Sequence, residues 1–203
     1  MLIVGLTGSI GMGKSTASAH LKSRGIPVFD ADAEVHRLYA GAAVPLIAAV
    51  FPGVVAGGVV DRAALAAQLA TAPDGFKRLE AIVHPMVRAA ERAFLVHHHA
   101  ASVPLAVLEI PLLFETGADQ LVDAVMVVST DAATQRARVL ARSGITPARF
   151  DALLARQMSD TDKRARADFV VDTTGAITDT HAQIDQALVQ LKCRPARAYR
   201  RWV

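Results

Sequence analysis

The chain has 203 residues, of which 52% are hydrophobic and 20% are charged, and it carries a formal net charge of +3 and one cysteine, Cys193. This composition excludes wholesale disorder and an internal disulfide framework, and it is sufficient for one domain with inserted subdomains. No apolar run is long enough to span a membrane, and no basic region precedes the apolar residues 2–6 as it would in a secretory signal. We therefore expect a cytoplasmic protein without a membrane partner.

Five short apolar runs predict β-strands that are buried on both faces, because none of them alternates strictly between apolar and polar residues. They are residues 2–6, 26–29, 105–110, 124–128 and 169–171. Helical patterns at 14–23, 132–142 and 178–191 separate these runs. Alternation of strands and helices predicts an α/β fold around a five-stranded parallel sheet.

The first predicted strand leads into the sequence GSIGMGKS at residues 8–15, which fits the pattern G-x-x-x-x-G-K-[ST] in full. Glycines in such a phosphate-binding loop (P-loop) let backbone N–H groups approach phosphate oxygens, and the following helix directs the positive end of its dipole at the anion. The pattern predicts a P-loop NTPase fold and a site for ATP with Mg²⁺.

Each chemical role in this loop has a candidate residue. Lys14 can reach the β- and γ-phosphates as a mobile charge, Ser15 offers its hydroxyl to Mg²⁺, and Thr16 can contact the α-phosphate. The residues expected to bind ATP are Gly11, Met12, Gly13, Lys14, Ser15 and Thr16.

Two acids follow the second predicted strand. Asp30 and Asp32 are two residues apart, so an extended backbone would place both carboxylates on the same side. Phosphoryl transfer to an alcohol requires a carboxylate that orients the hydroxyl and accepts its proton. Either acid is a candidate for that base, with the other contacting Mg²⁺ through water or bracing its neighbour. The pattern is equally typical of a helix N-cap, for which aspartate is favoured.

A long interval rich in alanine, leucine, valine and charged residues separates the second and third predicted strands. We interpret residues from about 33 to 102 as a helical insertion that forms a substrate-binding subdomain. His84 and Pro85 break this insertion, and His84 is either a ligand contact or a structural residue. Further along, Glu109 is at the end of the third predicted strand, where an acid can organise Mg²⁺ or serve as a cap.

Arginines are concentrated after the fourth predicted strand. Arg136, Arg138 and Arg142 fall within the predicted helix 132–142, and Arg138 and Arg142 would share one face because they are four residues apart. We interpret residues from about 138 to 167 as a helical lid that brings guanidinium groups to the transferring phosphates. A solvated, charged helix face has the same pattern.

The C-terminal residues are basic. Removing Lys192, Arg194, Arg197, Arg200 and Arg201 leaves 17 basic side chains against 19 acidic ones, so the rest of the chain is nearly neutral. A basic tail can contact nucleic acid or acidic surfaces, but no aromatic-rich platform accompanies this one. We expect a solvated, frayed terminus and no nucleic-acid partner.

Taken together, these segments resemble the dephospho-coenzyme A kinase family from Leu6 to about Gly175. The matching pieces are residues 6–16, 30–32, 83–85, 111–115, Arg138 with Arg142, Gln157, 163–164 and 167–172. The resemblance implies transfer of phosphate from ATP to the ribose 3′-hydroxyl of dephospho-coenzyme A, on a parallel five-stranded core with a helical insertion and a helical lid.

The resemblance also implies roles for particular residues. Asp32 would face the 3′-hydroxyl, while His84 and Leu112 would line the acceptor site. Arg142 would stabilise the transferring phosphate, and Arg138 would contact substrate. Ser9, Met12, Glu109, Thr173 and Thr174 depart from the family pattern, which leaves the adenine contacts near 173–175 open. We expect a small-molecule substrate and a monomer or weak homo-oligomer.

Two other functions share parts of this pattern. A kinase of nucleosides or nucleotide monophosphates would need arginines in the insertion for the acceptor phosphate, and Arg62, Arg78, Arg88 and Arg92 leave room for that. A nucleotide-dependent switch or ATPase would need switch loops and a residue that positions water, and the sequence offers no candidate for either.

Overall fold

The computed structural model describes residues 1–203, which form two β-sheets and nine α-helices. The strands are β1 (Leu2–Thr7), β2 (Val28–Asp30), β3 (Val55–Ala56), β4 (Val59–Val60), β5 (Leu105–Glu109), β6 (Ala124–Ser129) and β7 (Phe169–Asp172). The larger sheet has the order β2-β5-β1-β6-β7, and β1 pairs in parallel with β5 and β6. The predicted five-stranded parallel sheet is confirmed.

The central strands are apolar because both of their faces are covered. Every residue of β1 and of β6 is buried, as expected where helices pack on both sides of a parallel sheet. Leu2 lies opposite Leu105 and Val4 opposite Ala124, which aligns the carboxyl ends of these strands at one edge of the sheet. That edge is where parallel α/β sheets bind ligands.

The helices are α1 (Lys14–Ser23), α2 (Ala31–Tyr39), α3 (Val44–Val50), α4 (Arg62–Thr71), α5 (Gly75–Ala100), α6 (Ala132–Leu140), α7 (Pro147–Leu154), α8 (Asp160–Arg166) and α9 (Ile177–Leu191). None of them combines the length and the apolar composition that crossing a membrane requires. The predicted helix 14–23 has its predicted bounds, and the one predicted at 178–191 begins one residue earlier.

The predicted helix 132–142 is too long. α6 ends at Leu140, the chain turns through Gly144 with φ of 77°, and α7 begins after the capping residue Thr146. Arg142 therefore lies in the connection, and the argument that it shares a helix face with Arg138 is wrong. Glycine in the left-handed region and proline at a helix start together dictate this interruption.

The chain divides into two compact units. The first contains Met1–Phe29 and Leu95–Val203, and the second contains Asp30–Phe94. The second unit has a hydrophobic core of its own, whose buried members include Leu38, Ile47, Phe51 and Leu65. This unit also contains the hairpin β3–β4, which the interpretation as a helical insertion missed. Its strands have two residues each, too few to produce a pattern, and Gly57 and Gly58 form the turn with φ of 59° and 79°.

The prediction of a frayed C-terminal tail is wrong. Residues Ala198–Arg201 form a 3₁₀ helix, Trp202 is buried, and its indole N–H donates to the carbonyl of Leu121 at 2.8 Å. Arg194 forms a 2.6 Å ion pair with Asp168, and Tyr199 stacks on His99. The basic residues of the tail suggested a solvated segment, but aromatic and backbone contacts hold the tail against the rest of the first unit.

One carboxylate joins this tail to the start of the sheet. Asp123 accepts the N–H of Ile3 at 2.8 Å through one oxygen, and the N–H groups of Arg197 and Ala198 at 2.6 and 2.7 Å through the other. Hydrogen bonds to a charged acceptor are among the stronger ones in proteins. Asp123 is therefore a structural residue that the sequence did not distinguish.

Replacing Asp123 with alanine should lower the free energy of unfolding by about 2 to 3 kcal/mol, because three backbone donors lose a charged acceptor. Urea denaturation measures this loss. The variant Asp123→Asn keeps one oxygen acceptor and should recover part of the stability. Equal stability of Asp123→Ala and the unmodified protein would show that this carboxylate does not hold the tail.

Candidate active site

The P-loop connects β1 to α1 and is shaped by glycines with positive φ. Gly11 and Gly13 have φ of 81° and 92°, and a Cβ on Gly13 would lie 3.1 Å from the side chain of Thr173. Gly13 is the N-cap of α1, and no side chain caps the helix. The first N–H groups of a helix without a side-chain cap form a natural anion site.

The polar side chains of the loop lie at this helix start. The ammonium group of Lys14 donates to the carbonyl of Gly8 at 2.7 Å, which folds the side chain back along the loop. Ser15 is exposed and Thr16 half-buried in the first turn of α1. Both of these residues line an open groove of about 470 Å³ that extends along α1 to His20 and His181.

Thr173, which follows β7, holds the P-loop through hydrogen bonds. Its hydroxyl donates to the carbonyl of Met12 at 2.9 Å, and its backbone N–H donates to the carbonyl of Ser129 at 2.8 Å. The Sδ atom of Met12 in turn accepts the N–H of Thr130 at 3.1 Å. Met12 thus contributes both its carbonyl and its buried side chain, which accounts for a bulky residue at this position.

Arg138 belongs to the same network. Its guanidinium donates to the hydroxyl of Thr173 at 3.1 Å and to the carbonyl of Thr173 at 2.6 Å. In this conformation Arg138 braces the loop after β7. Its predicted contact with substrate would therefore have to form while the guanidinium is bound to Thr173, or after it has left Thr173. Arg142 is exposed beyond the end of α6.

Two carboxylates, Asp172 and Asp131, lie beside residues 173–175, the segment for which the sequence left the contacts with adenine unassigned. Asp172 accepts the N–H of Thr174 at 2.8 Å, and the hydroxyl and N–H of Thr174 lower the pKa of Asp172. Asp131 accepts both groups of Thr134, which lower the pKa of Asp131 in the same way. Both acids are consequently ionised at neutral pH and act as hydrogen-bond acceptors.

In the second unit, Asp30 at the end of β2 and Asp32 in α2 have different surroundings. Asp30 is the N-cap of α2, and its carboxylate accepts the N–H of Ala33 at 2.9 Å. Asp32 is exposed in the first turn of the same helix. The capping role that the sequence left open for both acids belongs to Asp30, and Asp32 remains the candidate for a chemical role.

His84 lies on α5, and the prediction that His84 and Pro85 break the insertion is wrong. α5 continues through Pro85 to Ala100, since a long helix with a buried face tolerates the loss of one backbone hydrogen bond. His84 is exposed. One turn further, Arg88 forms a 3.0 Å ion pair with Glu91, whose pKa is raised by burial and lowered in part by Arg88.

The segment after β5 is tied to α8. The carbonyl of Pro111 accepts the hydroxyl of Thr7 at 3.1 Å and the ammonium of Lys163 at 3.3 Å. Lys163 is fully buried and forms a 3.0 Å ion pair with Glu115. The neighbouring Leu112 is half-buried. These bonds therefore anchor α8, the last part of the predicted lid, to the segment after β5.

The sequence model of the dephospho-CoA kinase family matches residues 2–179. The chain is also 54% identical over 197 residues to a dephospho-CoA kinase of Rhizobium etli, with 97% of each chain covered. The chain belongs to the dephospho-CoA kinase family. Among solved structures, a Thermus thermophilus protein has a TM-score of 0.79 at 38% identity and covers 94% of this chain and 97% of its own.

A second solved structure agrees with this assignment. Dephospho-CoA kinase from Campylobacter jejuni has a TM-score of 0.71 at 25% identity, with 94% of this chain and 96% of that chain covered. Membership of the dephospho-CoA kinase family confirms the predicted resemblance and the class of enzyme. Neither a monophosphate kinase nor a nucleotide-dependent switch is favoured by these relatives.

Sequence reasoning within this family missed the contribution of Thr173. Its departure from the family pattern was visible, but its hydroxyl contacts Met12 across 161 positions. The predicted roles of Lys14, Asp32, His84, Leu112, Arg138 and Arg142 stay predictions.

Proposed function

We propose that the chain transfers the γ-phosphoryl group of ATP to the ribose 3′-hydroxyl of dephospho-coenzyme A, which gives coenzyme A and ADP in the last step of coenzyme A synthesis. Membership of the dephospho-CoA kinase family over nearly the whole chain carries this proposal. The glycine-shaped loop before α1, with Lys14 and Ser15 at its end, supports the use of ATP.

The residues have the following proposed roles. When ATP binds, the ammonium group of Lys14 exchanges the carbonyl of Gly8 for the β- and γ-phosphates. This exchange is favourable because a hydrogen bond to a charged acceptor is stronger than one to a neutral acceptor. Asp32 orients the 3′-hydroxyl and accepts its proton as the bond to phosphorus forms. Arg142 stabilises the negative charge on the transferring group. His84, Leu112 and Arg138 contact substrates.

The residues present fit a magnesium ion. Ser15 offers a hard oxygen donor in the first turn of α1, and Mg²⁺ takes most of its other ligands from phosphates and water. No group of three or more histidine, cysteine, aspartate or glutamate side chains is placed to hold a metal. We propose that Ser15 holds Mg²⁺ together with ATP. The ion, when bound, neutralises charge on the phosphate oxygens.

With Mg-ATP present, ADP release should depend on dephospho-coenzyme A and should be near background with adenosine, AMP, CMP or no acceptor. The reason is that the P-loop serves any acceptor, whereas Asp32 and the second unit select one. A coupled assay of ADP measures this dependence. Turnover with a monophosphate in place of dephospho-coenzyme A would contradict the proposed acceptor, and slow hydrolysis indifferent to all acceptors would contradict kinase activity.

A further inference from the structure

Ile10, in the middle of the P-loop, has both of its backbone polar groups bound by glutamine side chains. Its N–H donates to Oε1 of Gln157 at 3.2 Å, and its carbonyl accepts Nε2 of Gln135 at 2.8 Å. The two glutamines are 125 and 147 positions away in the chain. They hold two consecutive peptide groups, Ser9–Ile10 and Ile10–Gly11.

The second of these peptide groups is the one that can most readily rotate. Gly11 has φ of 81° and carries no side chain to restrain it. The Ile10–Gly11 peptide is trans, so the N–H of Gly11 points away from the carbonyl that Gln135 holds. Rotation of this peptide would exchange the positions of its N–H and its carbonyl, and a carbonyl in place of an N–H would repel phosphate oxygens. By holding the carbonyl of Ile10, Gln135 opposes that rotation.

Both glutamines are themselves firmly held. Gln135 is buried on α6, one turn before Val139, whose side chain would lie 2.5 Å from a Cβ on Gly11. The residue after Gln157, Met158, donates its N–H to Glu115 at 2.7 Å, and Glu115 pairs with the buried Lys163. We refer to the two hydrogen bonds from Gln135 and Gln157 to Ile10 as the clamp. Gln135 is held by α6, and Gln157 is held by the segment that leads into α8.

The residues between these two supports form a single excursion of the chain. This excursion, residues 141–156, contains Arg142 and α7; it begins directly after α6, the helix that carries Gln135, and it ends directly before Gln157. Within the excursion, Asp151 pairs with Arg136 of α6 at 3.5 Å, and both side chains are largely exposed. An exposed pair of this kind contributes little by itself, and the firmer contact of α7 is its buried Phe150, whose ring lies 5.8 Å from the guanidinium of Arg136.

We propose that Gln135 and Gln157 are positioning residues that hold the P-loop in its phosphate-binding conformation and couple phosphate binding to the position of residues 141–156. The inference rests on the proposed use of ATP and adds to it a link between the loop and the segment that carries Arg142. A phosphate group that binds the N–H groups of the loop stabilises the clamped conformation, and the clamp in turn fixes both ends of the segment.

Replacing Gln157 with methionine, which has a similar length and no comparable acceptor, tests the link. The Kd of the variant for the non-hydrolysable analogue AMPPNP should rise about tenfold, as expected for one lost hydrogen bond of about 1.4 kcal/mol. In the unmodified protein, AMPPNP should slow amide hydrogen exchange in residues 141–156. This slowing should be largely lost in Gln157→Met, and the melting temperature of the ligand-free variant should fall by no more than a few degrees, as expected for the loss of one hydrogen bond.

A matched control and a second variant keep the test specific. Gln190→Met, on the exposed face of α9, should bind AMPPNP and respond in hydrogen exchange like the unmodified protein. Gln135→Met combined with Gln157→Met should weaken binding by less than the product of the two single effects, since both act on adjacent peptides. Unchanged AMPPNP affinity in Gln157→Met, or unchanged protection of 141–156, overturns the inference. Because analogue binding needs no acceptor, failure to phosphorylate dephospho-coenzyme A would leave this comparison intact.

Discussion

Replacing Asp32 with asparagine should lower kcat by at least about 10²-fold, the loss typical of a missing general base. Asparagine has nearly the same size and can still accept a hydrogen bond, but it cannot take the proton of the acceptor hydroxyl. Binding of ATP should change little, because the P-loop and α1 belong to the first unit and Asp32 to the second. Steady-state kinetics with both substrates varied, together with direct measurement of ATP affinity, separates these effects.

Asp30 provides the matched control for this substitution. Its carboxylate caps α2 through the N–H of Ala33, and asparagine is as effective an N-cap as aspartate. Asp30→Asn should therefore retain both stability and most of the activity. If Asp30→Asn lost turnover and Asp32→Asn kept it, the assignment of the two acids would have to be exchanged. Normal turnover in both variants would remove the acceptor base from this helix.

Replacing Lys163 with methionine should lower the free energy of unfolding by about 3 to 5 kcal/mol, the range for breaking a buried ion pair by removing one partner. Lys163 is fully buried, and the side chain of Glu115 is 19% exposed. Methionine fills much of the same volume but leaves the carboxylate of Glu115 without its cation. The carbonyl of Pro111 loses a donor as well. Urea denaturation monitored by circular dichroism measures the change.

A double variant distinguishes the charge effect from altered packing. Adding Glu115→Gln to Lys163→Met removes the uncompensated carboxylate and should restore part of the lost stability, which a double-mutant cycle reports as a coupling energy. Lys192→Met, on the exposed surface, should change the stability by no more than about 0.5 kcal/mol. A loss in Lys163→Met no larger than in Lys192→Met would mean that the buried pair contributes nothing to anchoring α8.

The features that the sequence predicted well are those that arise from neighbouring residues. The five strands follow from apolar runs, and the P-loop follows from glycines, Lys14 and Ser15 within eight positions. A strand followed by a glycine loop and a helix is a motif contained in one short segment, so the residues of that segment are sufficient to predict it. For the same reason the bounds of α1 could be predicted correctly.

The features that could not be predicted depend on residues far apart in the chain. The bonds from Gln157 to Ile10 and from Thr173 to Met12 connect positions more than 140 residues apart. Gln157 was visible as part of the family pattern and Thr173 as a departure from it, but neither observation indicates which backbone group the side chain meets. The docked tail is a similar case, because its arginines suggest solvation while Trp202 and Ala198 are buried. Local composition does not report which polar group a distant side chain will meet.

The position of β1 in the sheet has a consequence for how the protein is made. β1 is the central strand of the sheet, yet it leaves the ribosome long before its neighbours β5 and β6, which begin only at Leu105 and Ala124. Until those residues have been added, the segment LIVGLT has two unpaired edges and apolar side chains on both faces. Such a segment favours association with other chains. We therefore expect the nascent chain to depend on chaperones until β5 and β6 have emerged, and refolding from denaturant to give its best yield at low protein concentration.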